Sequence, residues 1–203
     1  MTTGFWDQRY ASDSLIYGPT ANDFLIATLQ SRRLPKGGKA LDIGAGEGRN
    51  ALYLASLGLD VVAVDQSSVG MQKAARLATE RDLPLRTQAA DLADFEAGAA
   101  SLDVVSSIFV HLPRELRAVV HARVASWLRP GGVFILEAYA PEQITRGTGG
   151  PKDPALLAPL DVIVSELAGL TIEHGARLTR VVKEGEFHTG EAEVVQVVAS
   201  QRA

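Results

Sequence analysis

The sequence predicts an α/β protein with a doubly wound, three-layer sheet, and three observations carry that prediction. Five short β-type runs lie between residues 39 and 139, set apart by helical segments. Such alternation builds a parallel sheet with helices on both faces. A glycine-rich turn, Gly44-Ala-Gly46-Glu-Gly48, directly follows the first of these runs. Beyond residue 169 the pattern changes, because two strand-like runs follow one another with no helix between them. That pair must be antiparallel, since a parallel return needs a crossover of about a dozen residues.

Each element has its own justification. Residues 20–33 carry apolar side chains at helical spacing, with Thr20 or Asn22 placed to cap the first turn. Lys39–Gly44 is a short strand ending in glycine, and Asn50–Leu57 reads as a helix. Asp60–Asp65 is a buried strand, Val69–Arg81 an amphipathic helix and Leu85–Gln88 a short strand. Leu102–Val110 is the fourth strand, and Pro113 opens a helix running to Leu128. Arg129–Gly132 is a turn before a fifth strand, Val133–Tyr139. Gly147–Pro154 is the one linker-like stretch, and Leu156–Leu167 can be helical. Leu170–Val182 and Glu193–Ala199 form the final strand pair, joined by the polar hairpin loop Lys183–Ala192.

Composition removes whole classes of function. The chain has 203 residues, a length that suits one domain with a sizeable core. Its 20 basic and 24 acidic residues give a net charge of −4, which argues against a broad grip on nucleic acid or anionic lipid. There is no cysteine, so disulfides, thiolate metal sites and cysteine nucleophiles are excluded. No apolar run has the roughly 18 residues of a membrane helix, and the first ten residues do not read as an export signal. A soluble, cytoplasmic domain is expected. The four histidines are scattered and the carboxylates lack ligand spacing, so no metal site is predicted.

The glycine loop and the acid after it carry the functional reading. Glycines at 44, 46 and 48 let backbone approach a ligand closely, although such a loop can also be only a tight turn. Asp65 ends the second strand, where a carboxylate can accept both ribose hydroxyls of a nucleoside. A dinucleotide fingerprint would need a small residue where Arg49 stands, so a nicotinamide oxidoreductase is disfavoured. Asp42, two residues before Gly44, would repel a pyrophosphate but would suit a cofactor with an ammonium group. S-adenosylmethionine has ribose, adenine and ammonium, and no phosphate. Capping of nearby amides is the plainer role for Asp42.

On these residues the chain resembles the class I S-adenosylmethionine-dependent methyltransferases over nearly its whole length. The likeness includes LDIGAGEGRN, AVDQSS, the Ala90-Asp91-Leu92 segment and the LRPGG turn. Its N-terminal pattern, Phe5-Trp6-Asp7-x-Arg9-Tyr10 with Tyr17-Gly18, is similar to small bacterial members grouped with tellurite-resistance and thiopurine-type methyltransferases. The resemblance implies the Rossmann-like sheet order 3-2-1-4-5-7-6 with the seventh strand antiparallel. It implies that Gly44, Ala45, Gly46, Gly48 and Asn50 face the methionine and ribose parts of the cofactor. Asp65 would hold the ribose, Gln66 and Ser67 would lie beside the adenine, and Asp91 and Leu92 would meet its amine. Ser107 and Ile108 would border the methionine part. The implied organisation is a single domain: a flap at 1–19, a cofactor core at 20–139, and a substrate side at 140–203.

Methyl transfer is an in-line displacement that depends mainly on alignment, so a general base is optional. His111, just after the fourth strand, is the best candidate base, and capping or packing is an equal alternative. His188 sits on a polar hairpin loop and is expected at the surface, while His121 and His174 are given no role. Trp6, Arg9 and Tyr17 either pack the N-terminal segment on the sheet edge or close it over a sulfonium. Arg146 and Lys152 lie in a glycine-rich loop that is either a lid or a solvated connection. No Pro-Pro-aromatic motif and no basic stripe is present, so a small-molecule acceptor is favoured, and the family resemblance implies a soft one, a thiol or a selenium or tellurium species. A module that binds the cofactor without catalysis is the competing reading.

Overall fold

Helices and strands alternate because both faces of the sheet must be covered, and the computed structural model shows how. It describes residues 3–202, so residues 1–2 of the expected flap lie outside the described residues. The elements are α1 (Thr3–Arg9), α2 (Asp23–Gln30), β1 (Lys39–Ile43), α3 (Arg49–Ser56), β2 (Asp60–Asp65), α4 (Ser68–Glu80) and β3 (Leu85–Ala89). They continue with β4 (Leu102–Ile108), α5 (Arg114–Trp127), β5 (Leu128–Tyr139), α6 (Leu160–Glu166), β6 (Thr171–Lys183) and β7 (Thr189–Ser200). One seven-stranded sheet has the order β3-β2-β1-β4-β5-β7-β6. The first five strands pair in parallel, and β7 runs antiparallel between β5 and β6.

Adjacent residues of the central strands feed opposite cores. Leu41, Val105, Phe134 and Leu136 pack with Trp127 of α5 and Ile163 of α6. Val61, Ala63, Val104 and Ile135 pack with Leu25 of α2, Leu54 of α3 and Ala74 of α4. Every residue of β4 is buried, as a strand covered on both faces requires. Local chemistry starts the helices. Asn22 caps α2 by accepting the Leu25 N–H at 3.0 Å, and Ser67 caps α4 by accepting the Gly70 N–H at 3.0 Å.

Several boundaries differ from the sequence reading. The segment before residue 10 is helical, where only an aromatic flap was expected. Thr3–Arg9 leans on α4, and Asp7 accepts from the Ser67 hydroxyl at 2.6 Å. The expected helix at 156–167 is cut to Leu160–Glu166, because Pro154 supports a short 3-10 turn and Pro159 can only precede a new start. The Arg129–Gly132 turn is drawn into β5, where a bulge against β4 lies between Leu102 and Val104. The final hairpin is tighter than expected, since β6 and β7 pair up to Lys183 opposite Thr189.

Candidate active site

The glycine loop sits at the C-terminal tip of β1 with left-handed backbone at Gly44 (φ +62°), Gly46 (+56°) and Gly48 (+85°). A β-carbon at Gly44 would lie 2.5 Å from Val110, and one at Gly46 would lie 2.8 Å from the Tyr10 hydroxyl. Only glycine fits these positions. Asp65 ends β2 beside this loop. One carboxylate oxygen accepts the Gly46 N–H and the other accepts the Ser67 N–H, both at 2.9 Å. Burial, the largest cause, raises the Asp65 pKa, and these backbone N–H groups oppose it. Each oxygen keeps lone-pair capacity for a ligand hydroxyl.

A cavity of about 780 Å³ opens over these strand tips. Of the sequence-predicted residues, Trp6, Arg9, Tyr17, Gly44, Ala45, Gly46, Asn50, Asp65, Gln66, Asp91, Leu92, Ile108 and His111 line it. Open α/β sheets bind ligands at this carboxyl end of their strands. Four predicted residues are outside the lining. Gly48 packs against Ala74 and opens α3; Ser67 caps α4; Ser107 is buried inside β4. Asp42 is the main correction. It is 1% exposed and accepts the Ser106 hydroxyl at 2.6 Å, so it faces β4 within the sheet and not the cavity. Burial, the largest cause, pushes its carboxyl up to about 7, and the hydrogen bond from Ser106 opposes it.

The opposite half of the cavity has a different construction. Tyr17, Phe109, His111 and Phe187 contribute wall area here, and so does His188. His188 was expected at the surface, yet it is 9% exposed. Its ring lies 4.6 Å from Tyr17, 4.8 Å from Phe109 and 5.3 Å from Tyr139. The tight hairpin explains this. Glu186 N–H donates to the Ile16 carbonyl at 3.0 Å, and Gly185 packs so closely there that a β-carbon would collide with Ile16 backbone. The tip is therefore tied down over the cavity. Phe109 holds a left-handed backbone (φ +55°), strained for a bulky residue and common at ligand sites.

Both histidines of this half are neutral. Burial, the largest cause, lowers His111 to about 4 and His188 to about 3, the latter helped by Arg49 nearby. His111 Nε2 and His188 Nδ1 are buried without a hydrogen-bond partner. The remaining histidines are elsewhere: His121 pairs with Glu166 at 2.8 Å, and His174 packs beside Phe24. Lys152 lines the cavity, whereas Arg146 is held by Glu191 and Glu193.

Beneath this half lies a buried charge network. Glu137 of β5 is fully buried and receives hydrogen bonds from Asn22, Arg180 and Gln196. Glu184 of the hairpin tip receives others from Asn22, Arg180 and Arg49. Arg49, which seemed only a misfit for a dinucleotide loop, thus joins the glycine loop to the hairpin. No spacing in the sequence marks this network, because its members come from six separate elements or loops.

Comparison with known proteins agrees with this geometry. Residues 40–132 match a family described as "Methyltransferase domain". The chain is 31% identical over 132 residues to a 2-heptyl-1-hydroxyquinolin-4(1H)-one methyltransferase of Mycobacteroides abscessus, covering 64% of this chain and 58% of that protein. The curated relatives it matches are longer, and the chain spans 33% to 58% of their length. Among solved structures, one concerned with converting a disulfide bond into a thioacetal group during echinomycin biosynthesis superposes with a TM-score of 0.80. That likeness covers 98% of this chain and 91% of the other at 19% identity. TehB from Haemophilus influenzae superposes with a TM-score of 0.72 at 15% identity, over 98% of this chain and 67% of its own. The chain thus carries a match to a methyltransferase domain over residues 40–132 and shares the fold of these solved structures.

Proposed function

We propose that the chain transfers a methyl group from S-adenosylmethionine to a small-molecule acceptor. The observation that carries this reading is Asp65: a buried carboxylate at the tip of β2, fixed by two backbone N–H groups beside a glycine loop, facing a cavity with a second, aromatic half. The residues fit the cofactor. Asp65 would accept its ribose hydroxyls, Gln66, Asp91 and Leu92 would border its adenine, and the Gly44–Gly46 backbone with Ile108 would flank its amino-acid end. When bound, the cofactor supplies an electrophilic methyl group on a sulfonium. The chain's own part is to hold the acceptor in line with it, and alignment of this kind supplies roughly 7–11 kcal/mol of barrier lowering.

The N-terminal segment completes the enclosure in this reading. Trp6 stacks on Tyr10 at 5.7 Å, and Tyr10 meets Tyr17 edge-on at 6.3 Å. Aromatic faces suit a cation, so this segment would cover the sulfonium. Residues 1–19 would then act as a flap, 20–139 as the cofactor core, and 140–203 as the acceptor side of a single domain. A small acceptor is supported by the relative named as a methyltransferase of a hydroxyquinolinone. A cytoplasmic setting fits the absence of cysteine.

The test is turnover. The chain is incubated with cofactor labelled in its methyl group and a panel of phenols, N-hydroxy heterocycles and thiols. Release of S-adenosylhomocysteine together with a labelled product supports the reading. Tight cofactor binding with no transfer to any panel member would favour a binding module instead.

A further inference from the structure

The aromatic half of the cavity contains polar groups that nothing in the chain satisfies, and they identify what it takes. Tyr17, Phe109, His111 and His188 come from three distant stretches of sequence and converge on one wall. His188 has an aromatic ring within about 5 Å on each of three sides. His111 stacks parallel to Tyr139, with ring centroids 5.6 Å apart and planes 10° from parallel. Within this flat-walled space, His111 Nε2 and His188 Nδ1 are shielded from water and have no partner. Buried polar atoms are almost always hydrogen-bonded, and exceptions in a cavity point to a ligand.

Charge narrows the choice further. Arg49 and Arg180 lie near His188, and Glu184 and Glu137 offset their charge. Both arginines are already engaged by Glu184 and Glu137, so they are not free to receive an anion. Arg9 is likewise committed, lying over the rings of Phe187 at 4.2 Å and Phe5 at 5.2 Å. Around His188 what remains is shape and neutral hydrogen bonding, and Lys152 is the lining cation that an anionic probe tests.

We infer that His188 and His111 form the acceptor subsite, and that it takes an uncharged planar ring carrying a hydroxyl or comparable neutral hydrogen-bonding group. The name of the subsite rests on the proposed function, but the binding itself does not. His188 is held ready for this role. The Glu184 N–H donates to its carbonyl at 2.7 Å, and the Thr189 hydroxyl donates to Gly185 O at 2.6 Å. A neutral imidazole can present either a bare nitrogen or an N–H at the unpaired position, so it can match a hydroxyl as acceptor or donor.

The experiment is calorimetry on the full cofactor-free chain with 1-naphthol, naphthalene-1-sulfonate and naphthalene as probes. Wild-type protein should prefer 1-naphthol over both others. His188→Phe, which keeps the ring but removes the nitrogens, should weaken 1-naphthol at least tenfold, and His188→Asn should recover part of the loss. Nitrogen-15 spectra of the wild-type imidazoles should show His188 Nδ1 shifting as 1-naphthol binds, which keeps the test valid if the phenylalanine variant misfolds. Equal 1-naphthol affinity in wild type and His188→Phe would overturn the inference, as would preference for the sulfonate or an unmoved His188 resonance. Failure to bind S-adenosylmethionine would sink the proposed function and leave this result standing.

Discussion

The two halves of the cavity are built by opposite means. The nucleoside half is backbone and carboxylate: three glycines in left-handed conformation, and Asp65 with both oxygens engaged by N–H groups. The acceptor half is side chain: aromatic rings, two neutral histidines, and a charge network beneath them. Backbone geometry is fixed by the frame of the fold. Side-chain geometry can change without moving the frame, and that is where a substrate is specified. Strain follows the same division, since Phe109 holds the one unfavourable bulky backbone at the cavity wall.

Removing the foundation of the acceptor half should have the largest effect. Glu137→Ala leaves Arg180 and Asn22 with only Glu184 of their two buried carboxylate partners, and removes the carboxylate that Gln196 donates to. Breaking a buried pair in this way costs roughly 3–5 kcal/mol. Denaturant unfolding is the check, and a loss below about 1 kcal/mol would mean that the network is not the foundation.

A smaller, pH-dependent effect should separate the halves. His111 and His188 have lowered pKa values in the folded chain, so unfolding takes up protons as pH falls below about 6.5, and their contribution is lost on acidification. Asp42 has the opposite sign. Its raised pKa of about 7 means that the folded chain holds a proton the unfolded chain has released, so stability is gained as pH falls from 7 towards 4. The two effects offset each other. Asp42→Asn removes the compensation, and its stability should fall more steeply than wild type between pH 7 and pH 5. Parallel curves would contradict the buried placement of Asp42. By the same lowered values, neither histidine should titrate near 6.5 in a methyl-transfer profile. His111→Ala should then cost far less than the roughly 10²–10⁴-fold typical of a lost general base.

The smallest expected change is dynamic. If residues 3–19 close over the cofactor, hydrogen exchange in that segment should slow when cofactor is added, while β4 stays unchanged. Equal exchange in both states would make the segment a fixed edge of the fold.

This contrast also explains what the sequence disclosed. The alternation of strands and helices, the glycine loop and Asp65 were readable because each depends on a local run or a spacing within one βαβ unit. The strand order came only with the family resemblance. Asp42 misled because its distance from Gly44 is fixed by sequence, whereas the direction of its side chain is set by pairing of β1 with β4. His188 misled because the stretch around it is polar, and polar loops are usually exposed. The tie of Gly185 and Glu186 to Ile16 holds it inward, and that contact joins residues too far apart for any pattern to display. Arg49 and Glu184 were hidden for the same reason. The helix at Thr3–Arg9 has too few residues to declare a period.

The most direct test of the account is calorimetric titration of wild type and Asp65→Ala with S-adenosylmethionine and with NAD. The account predicts that wild type binds S-adenosylmethionine and not NAD. Each hydrogen bond to the ionised Asp65 is worth about 1.5–3 kcal/mol, so Asp65→Ala should weaken the cofactor by roughly ten- to hundredfold. Tight NAD binding without heat from S-adenosylmethionine, or an unchanged dissociation constant in Asp65→Ala, would contradict it.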